Sequence, residues 1–280
     1  MNLTSDAVAI VKYKYDIKKT LLSGLNQIGG FGEIESPVLI KPNICTMRDG
    51  TGHSVTDIDV VKSLISLLLD EDDKTTIKII ESDSQSKNAD DAFIKFGYRD
   101  YCDEMKNAGF DIATVNLSQE TLEKISFDGL YFKNPELPKI ITEPNYFISV
   151  AVAKTHYLAY ITGVLKNLFG ILPRKDMSFY HSRIHDVITD LARIIRPRLN
   201  IVDARVGVED WNGPKTHDIA AFILGRQPVS VDSVMTRIMS LDPHNIKHLK
   251  NSSKYDLGDL NPSIIGESVD SVRVRFSPPP

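Results

Sequence analysis

The chain has 280 residues, of which 42% are hydrophobic and 25% charged, and its formal net charge is -4 with a sequence pI near 6.0. This composition is typical of a globular protein and excludes a long disordered or membrane-embedded chain. An acidic balance supplies no global basic field, so we expect a small ligand and not nucleic acid as the partner.

Cys45 and Cys102 are the only cysteines in the sequence. Two thiols are too few for a disulfide framework or for an iron–sulfur cluster bound by this chain alone, and they indicate a reducing compartment. The N-terminal residues lack a basic stretch followed by a long apolar one, and no uncharged apolar run approaches the roughly 20 residues of a membrane helix. We therefore expect a cytoplasmic protein without a membrane partner.

Short runs rich in β-branched residues alternate along the chain with longer segments of helical periodicity. This alternation predicts an α/β fold, a mostly parallel sheet with flanking helices layered α/β/α. The predicted strands cover residues 7–12, 38–41, 76–81, 111–115, 146–153, 199–203 and 219–224, with an edge strand at 272–276. The predicted helices cover residues 56–69, 89–108, 182–195 and 229–241.

The polar, proline-containing segment from residue 118 to 144 is the best candidate for a crossing between two halves of the chain. It predicts an N-terminal α/β lobe over residues 1–117 and a C-terminal α/β lobe over residues 145–280, which carries the main motifs. At this length, one large α/β domain is the alternative to two lobes of one fold.

Four predicted strands end in polar side chains. In open parallel sheets, ligands bind beyond the carboxyl ends of the strands, where loops converge and helix N-termini point inward. The residues found there are Lys41 with Asn43, Asp83, Lys154 with Thr155 and His156, and Asp203. A single polar ending is common because loops are polar and Asp caps helices, so the coincidence of four carries the prediction.

Lys41 and Lys154 are the most informative of these residues. A lysine ammonium is strongly hydrated and is disfavoured against an apolar strand unless it meets an anion. The sequence thus predicts that both lysines hold a small carboxylate- or phosphate-bearing ligand in a strand-end cleft. A structural ion pair between one of these lysines and Asp83 or Asp203 is the alternative.

The segment from residue 162 to 170, TGVLKNLFG, places Lys166 and Asn167 in an otherwise apolar stretch that contains two glycines. Partial burial lowers the pKa of a lysine, which makes Lys166 a candidate nucleophile or base, or a further cation for the ligand. A lysine whose stem is buried and whose ammonium reaches water is the other interpretation. Asn167 and Asn43 are expected to orient the ligand by hydrogen bonds.

His181 and His185 lie four residues apart at the start of a predicted helix and share one of its faces. With His156 from a strand end, they form a candidate site for a divalent metal that would polarise a carbonyl. Structural hydrogen bonding of these histidines is the alternative. His156 and Lys166 are the expected catalytic residues, because either can move a proton near neutral pH.

In chain order, these strings resemble the family called domain of unknown function 362 over most of the sequence. The pattern is seen in KPN at residues 41–43, AKTH at 153–156, LKNLFG at 165–170, IVD at 201–203 and VD at 231–232. The resemblance implies an α/β fold and no settled activity. Many members carry or are fused to a cysteine-rich ferredoxin module, and two cysteines cannot supply its cluster.

More remotely, the order His156, Lys166 and His181 resembles the nickel-pincer lactate racemase family. In that family a histidine, a cofactor-bearing lysine ten residues later and a second metal-binding histidine recur, and the same ten-residue gap separates His156 from Lys166. The resemblance implies covalent attachment of a cofactor at Lys166. Gly163 and Gly170 match only part of the glycine pattern that surrounds the lysine in that family.

The leading prediction is an enzyme or cofactor-binding protein that acts on a small anion, with a divalent metal as an additional cofactor. The alternative is a redox-partner or metal/cofactor assembly factor that docks a separate ferredoxin-like protein. The sequence specifies neither the ligand nor the oligomeric state. The glycine-rich stretch at residues 29–32 lacks the setting of a phosphate-binding loop and is expected to be a turn.

Overall fold

The computed structural model of the chain describes residues 6–279. Its strands are β1 (Val8–Lys12), β2 (Val38–Pro42), β3 (Ile77–Glu81), β4 (Ile112–Asn116), β5 (Leu122–Lys124), β6 (Glu136–Pro138), β7 (Tyr146–His156), β8 (Tyr160–Ile161), β9 (Leu199–Val208), β10 (Thr216–Gly225) and β11 (Ile264–Gly266). Its α-helices are α1 (Ile17–Gln27), α2 (Ile58–Glu71), α3 (Ala89–Lys95), α4 (Tyr98–Asn107), α5 (Lys139–Thr142), α6 (Gly163–Asn167), α7 (Ile184–Ile195), α8 (Pro228–Ile238), α9 (Lys247–Ser252) and α10 (Val269–Val272). Within this described range, no helix is both long and apolar enough to cross a membrane. The cytoplasmic location stays a prediction.

A mixed sheet of nine strands forms the centre of the molecule, in the order β11-β1-β10-β9-β7-β2-β3-β4, with β8 paired to the end of β7. The five neighbours from β9 to β4 run parallel, whereas β10 is antiparallel to both β1 and β9. The carboxyl ends of β2, β3 and β7 therefore meet at one edge of the sheet. The predicted α/β fold with a mostly parallel sheet is confirmed.

Helices cover both faces of the sheet, which explains why its central strands read as near-continuous apolar runs. β7 is buried at all eleven positions. Its Phe147 packs in the core that also contains Leu191 of α7 and Val234 of α8. The next residue, Ile148, packs in the second core with Leu64 of α2. This alternation places one apolar layer on each side of the sheet, as the period of two in a strand requires.

Two predicted elements differ from the structure. The helix predicted at 89–108 is divided into α3 and α4, because Gly97 adopts a left-handed conformation with φ of 79°. The edge strand predicted at 272–276 was wrong. The backbone N–H groups of Val274 and Phe276 donate to the carbonyls of Ile238 and Met239 at the end of α8, and β11 pairs with β1 instead. The apolar residues in this segment correctly predicted that it is buried, but they did not show that it lacks a strand partner.

The predicted crossing at residues 118–144 contains the short hairpin of β5 and β6 and the helix α5. Strands from before and after this segment share the main sheet, since β1 lies between β10 and β11, and β2 lies beside β7. The lobe boundary stays a prediction.

Candidate functional site

A cleft of about 280 Å³ lies where β2, β3 and β7 end, at the predicted edge of the sheet. Small-molecule sites span roughly 300–1,000 Å³, so this volume suits a small ligand. The polar and ionisable residues that line it are Lys41, Asn43, Cys45, Glu81, Ser84, Gln85, Ser86, Lys87, Lys154, His156, Thr162, Lys166, Asn167 and His181. Its larger apolar and aromatic residues include Ile44, Tyr157, Phe169, Met177 and Trp211. Most of the predicted site residues therefore come together.

The charge of this cleft is opposite to that of the whole chain. Four lysines and one carboxylate line it among the described residues, whereas the formal net charge of the chain is -4. Charges gathered in a cleft with low-dielectric walls produce a stronger local field than the net charge of a protein does. The field inside the cleft thus favours an anion.

Lys41 and Lys87 share the single carboxylate. Lys41 Nζ lies 2.6 Å from Glu81 Oε2, and Lys87 Nζ lies 3.3 Å from Glu81 Oε1. All three side chains are buried. Burial lowers the pKa of Lys41, and the Glu81 carboxylate opposes that shift. Two ammonium groups on one carboxylate leave a positive charge at the base of the cleft.

Lys154 is completely buried in β7 and has no carboxylate partner within residues 6–279. Its ammonium donates hydrogen bonds to Asn43 Oδ1 at 2.7 Å, the Ser54 carbonyl at 2.7 Å and the Trp211 carbonyl at 3.2 Å. Cys45 Sγ lies 3.4 Å away. Neutral acceptors satisfy the N–H groups but not the charge, and an uncompensated buried charge is costly.

The two predicted amides join the lysines into one network. Asn167 Nδ2 donates to the Lys41 carbonyl at 2.9 Å and to Ser149 Oγ at 3.1 Å. Asn43 Nδ2 donates to Asn167 Oδ1 at 3.3 Å, while Asn43 Oδ1 accepts from Lys154. These contacts hold the ends of β2 and β7 and the helix α6 at fixed positions, so the amides position the lysines.

Lys166 is half-buried on α6, whose first turn is anchored by a carboxylate. Asp232 accepts from the backbone N–H groups of Val164 at 2.7 Å and Leu165 at 3.0 Å. Lys166 Nζ lies 4.1 Å from the centre of the Phe169 ring, a cation–π distance. Burial, followed by the charge of Lys154, lowers the pKa of Lys166 to about 8. Its ammonium makes no hydrogen bond or ion pair in the described part of the chain, so it can receive a ligand.

His156 presents a hydrogen-bond donor to the cleft. Its Nδ1 accepts from the backbone N–H groups of Leu158 at 3.1 Å and Ala159 at 3.2 Å, so the neutral ring carries its proton on Nε2. Burial, followed by the charge of Lys166, lowers the pKa of His156 to about 2, which keeps the ring neutral. The side chain is 8% exposed, and Nε2 makes no hydrogen bond to any residue between 6 and 279.

Asp83 and Asp203 have local structural partners. Asp83 Oδ1 accepts from the backbone N–H of Ala89 at 2.8 Å, at the start of α3. Asp203 forms an ion pair at 2.7 Å with Arg205. Neither Asp83 nor Asp203 lines the cleft. Lys41 and Lys154 contact neither aspartate. The alternative prediction, a structural ion pair between one of these lysines and Asp83 or Asp203, was therefore wrong, and Lys41 pairs with Glu81 instead.

Thr155 and His185 also lie outside the cleft. Thr155 Oγ1 accepts from the backbone N–H of Asp210 at 2.6 Å, which fixes the loop after β9. His185 Nδ1 lies 3.1 Å from His248 Nδ1, while His181 lines the cleft with His156. Across the described range, no group of three or more His, Cys, Asp or Glu residues is placed to hold a metal ion.

Sequence reasoning assigned no role to three residues that shape the site. Glu81 ends the strand that precedes Asp83. Only the structure shows that the Glu81 carboxylate faces the cleft, whereas Asp83 lies beyond the strand and accepts from the start of α3. Lys87 comes from the loop after β3. Cys45 lies two residues beyond Asn43, and its position beside Lys154 is a long-range contact that no local pattern indicates.

Two comparisons with known proteins bear on this cleft. A family model described as Domain of unknown function (DUF362) matches residues 38–237, a range that contains every residue lining the cleft. A thylakoid-associated protein of Synechocystis sp. is 24% identical over 255 residues, which cover 88% of this chain and 75% of that protein.

Proposed function

We propose that this chain, which belongs to the DUF362 family, is an enzyme or cofactor-binding protein for a small carboxylate- or phosphate-bearing anion. The observation that carries the proposal is the pair of lysines without a counterion. Lys154 is fully buried against neutral acceptors, and the half-buried Lys166 has no polar partner within residues 6–279. A bound anion would offset the cost of both charges.

Lys166 and His156 have different roles in this proposal. The pKa of Lys166, lowered to about 8, lies close enough to neutrality for the amine to take up or release a proton. The pKa of His156, lowered to about 2, makes it a poor base at neutral pH. Its Nε2–H instead donates a hydrogen bond to an oxygen of the ligand. Proton transfer is thus assigned to Lys166 and orientation to His156.

A divalent metal and a cofactor attached at Lys166 are separate proposals that came from the sequence. His156 with an accepting Nδ1 keeps its proton on Nε2, and a metal-binding nitrogen carries no proton. A metal at His156 Nε2 would therefore require the ring proton to move to Nδ1, with loss of the hydrogen bonds from Leu158 and Ala159. Mass spectra of the native and denatured protein address both ideas, because a metal is lost on denaturation and a covalent group at Lys166 is not.

A thermal-shift screen tests the proposed function. We expect oxalate or phosphate to raise the melting temperature by several degrees over sodium chloride of equal ionic strength, because a ligand that binds only the folded state stabilises it. If no organic acid, phosphate or nucleotide exceeds the chloride control, the anion site is contradicted. A ferredoxin-like protein that co-purifies with a chain unresponsive to anions would favour the docking alternative.

A further inference from the structure

Cys45 occupies a position in the cleft that the proposed function does not yet use. Its Sγ lies 3.4 Å from Lys154 Nζ. In its neutral form the thiol donates weakly to the carbonyls of Ser54 at 3.4 Å and Trp211 at 3.6 Å. The side chain is partly exposed and lines the cleft, so a small reagent can reach the sulfur.

The sulfur is the one contact of Lys154 in the described structure that can become negatively charged. The other three contacts of the ammonium are an amide oxygen and two backbone carbonyls, none of which ionises. Loss of the thiol proton would give the buried Lys154 a counterion within ion-pair range. Thiolates next to lysines are the reactive form of cysteine in proteins.

The imidazole of His156 indicates independently that this cleft receives a ligand. The residue is 8% exposed, lines the cleft and holds a fixed tautomer, yet its Nε2–H has no hydrogen-bond partner within residues 6–279. An incoming oxygen atom would accept from this N–H. Thr162 Oγ1, a buried hydroxyl that also lines the cleft, likewise has no hydrogen-bond partner in the described structure, and a ligand would satisfy it. The same cleft thus contains a sulfur beside an ammonium, a free donor and the free ammonium of Lys166.

We propose that Cys45 is a nucleophile, which reacts through its thiolate to form a covalent adduct with anionic electrophiles. The sulfur lone pair forms a bond to the electrophilic carbon, the bond from that carbon to its leaving group breaks, and the leaving group departs with the electron pair. No oxidant and no added proton is required. The inference rests on the proposed function, because the lysines that bind the anion also select the electrophile.

Paired alkylation rates test this inference. Iodoacetate and iodoacetamide both alkylate a thiolate with loss of iodide, but only iodoacetate is anionic. We expect the iodoacetate-to-iodoacetamide rate ratio at Cys45 to be about tenfold higher in the native chain than in urea, and to fall in about 1 M sodium chloride. Lys166→Met should lower the ratio, and Lys124→Met, at an exposed lysine outside the cleft, should not.

Cys102 provides the internal control. Burial raises the pKa of Cys102 to about 12, so it should stay unmodified in the native chain. Peptide mapping should show that Cys102→Ala preserves rapid labelling and that Cys45→Ala abolishes it. A native ratio equal to the ratio in urea overturns the Cys45 proposal, even if oxalate binds. Absence of a thermal shift with every organic acid, phosphate and nucleotide contradicts the proposed function, whatever the ratio.

Discussion

Lys154 and Lys166 differ in how their ammonium groups are satisfied. Lys154 already donates to three oxygen atoms and is fixed in the sheet, whereas Lys166 is held only over the Phe169 ring. A side chain without hydrogen bonds can adjust to a ligand at little cost. Lys166 is therefore the residue whose charge state should control binding.

The affinity for an anion should depend on pH through Lys166. Its pKa is lowered to about 8, so the amine is charged below that pH and neutral above it. The affinity for oxalate, which stays fully ionised, should fall as the pH rises from about 7 to about 9.5. Lys166→Arg should remove most of this decline because arginine stays protonated. Calorimetric titration at several pH values measures the affinity for oxalate. An affinity that is constant over this range in the unmodified chain would contradict the role of Lys166 in binding.

At the scale of elements, α6 depends on a close approach between its first residue and α8. Gly163 adopts a φ of 56°, and a Cβ added there would overlap the Asp232 carboxylate that accepts from Val164 and Leu165. Both the backbone conformation and the lack of space thus require glycine. The position of Lys166 is set by this contact.

Gly163→Ala should therefore destabilise the fold by about 1–3 kcal/mol, because it combines a left-handed backbone with overpacking. Gly50→Ala is the matched control, since an added Cβ there meets no atom within 4 Å and the residue has no left-handed φ. Urea unfolding of both variants gives the comparison. Equal stabilities would show that α6 adapts to the extra methyl group and that this contact does not fix it.

The elements also show what the sequence could and could not predict. Hydrophobic periodicity predicted α7 and the central strand β7, because both bury a regular set of side chains. The polar residues at the ends of predicted strands predicted that Lys41 and Lys154 would meet, because parallel strands end at one edge. The sequence could not predict that Lys41 pairs with Glu81 and not with Asp83, since that choice depends on where β3 ends and how the chain turns after it.

At the scale of the molecule, the two predicted lobes share one sheet. β1 forms hydrogen bonds with β10 and β11, and β2 forms hydrogen bonds with β7. Strands at the start of the chain thus have their neighbours in its second half. The cleft itself combines residues from both halves, because Lys41 and Glu81 come from the first and Lys154 from the second.

Fragments 1–117 and 145–280 should therefore fail to fold when produced separately. Each would expose strand edges and core surface that the other covers, which is unfavourable in water. Cooperative unfolding in urea and dispersed amide resonances are the measurements, with the whole chain as the reference. A fragment 1–117 that unfolds cooperatively by itself would support two independent lobes.

Anion binding in the lysine-lined cleft is tested most directly by calorimetric titration of oxalate into three proteins near neutral pH. They are the unmodified chain, Lys166→Met and the control Lys124→Met. We expect the unmodified chain and Lys124→Met to bind oxalate equally, and Lys166→Met to bind at least about tenfold more weakly, a loss of about 1.4 kcal/mol. Equal affinity in all three proteins, or no binding to the unmodified chain, would contradict an anion site at Lys166.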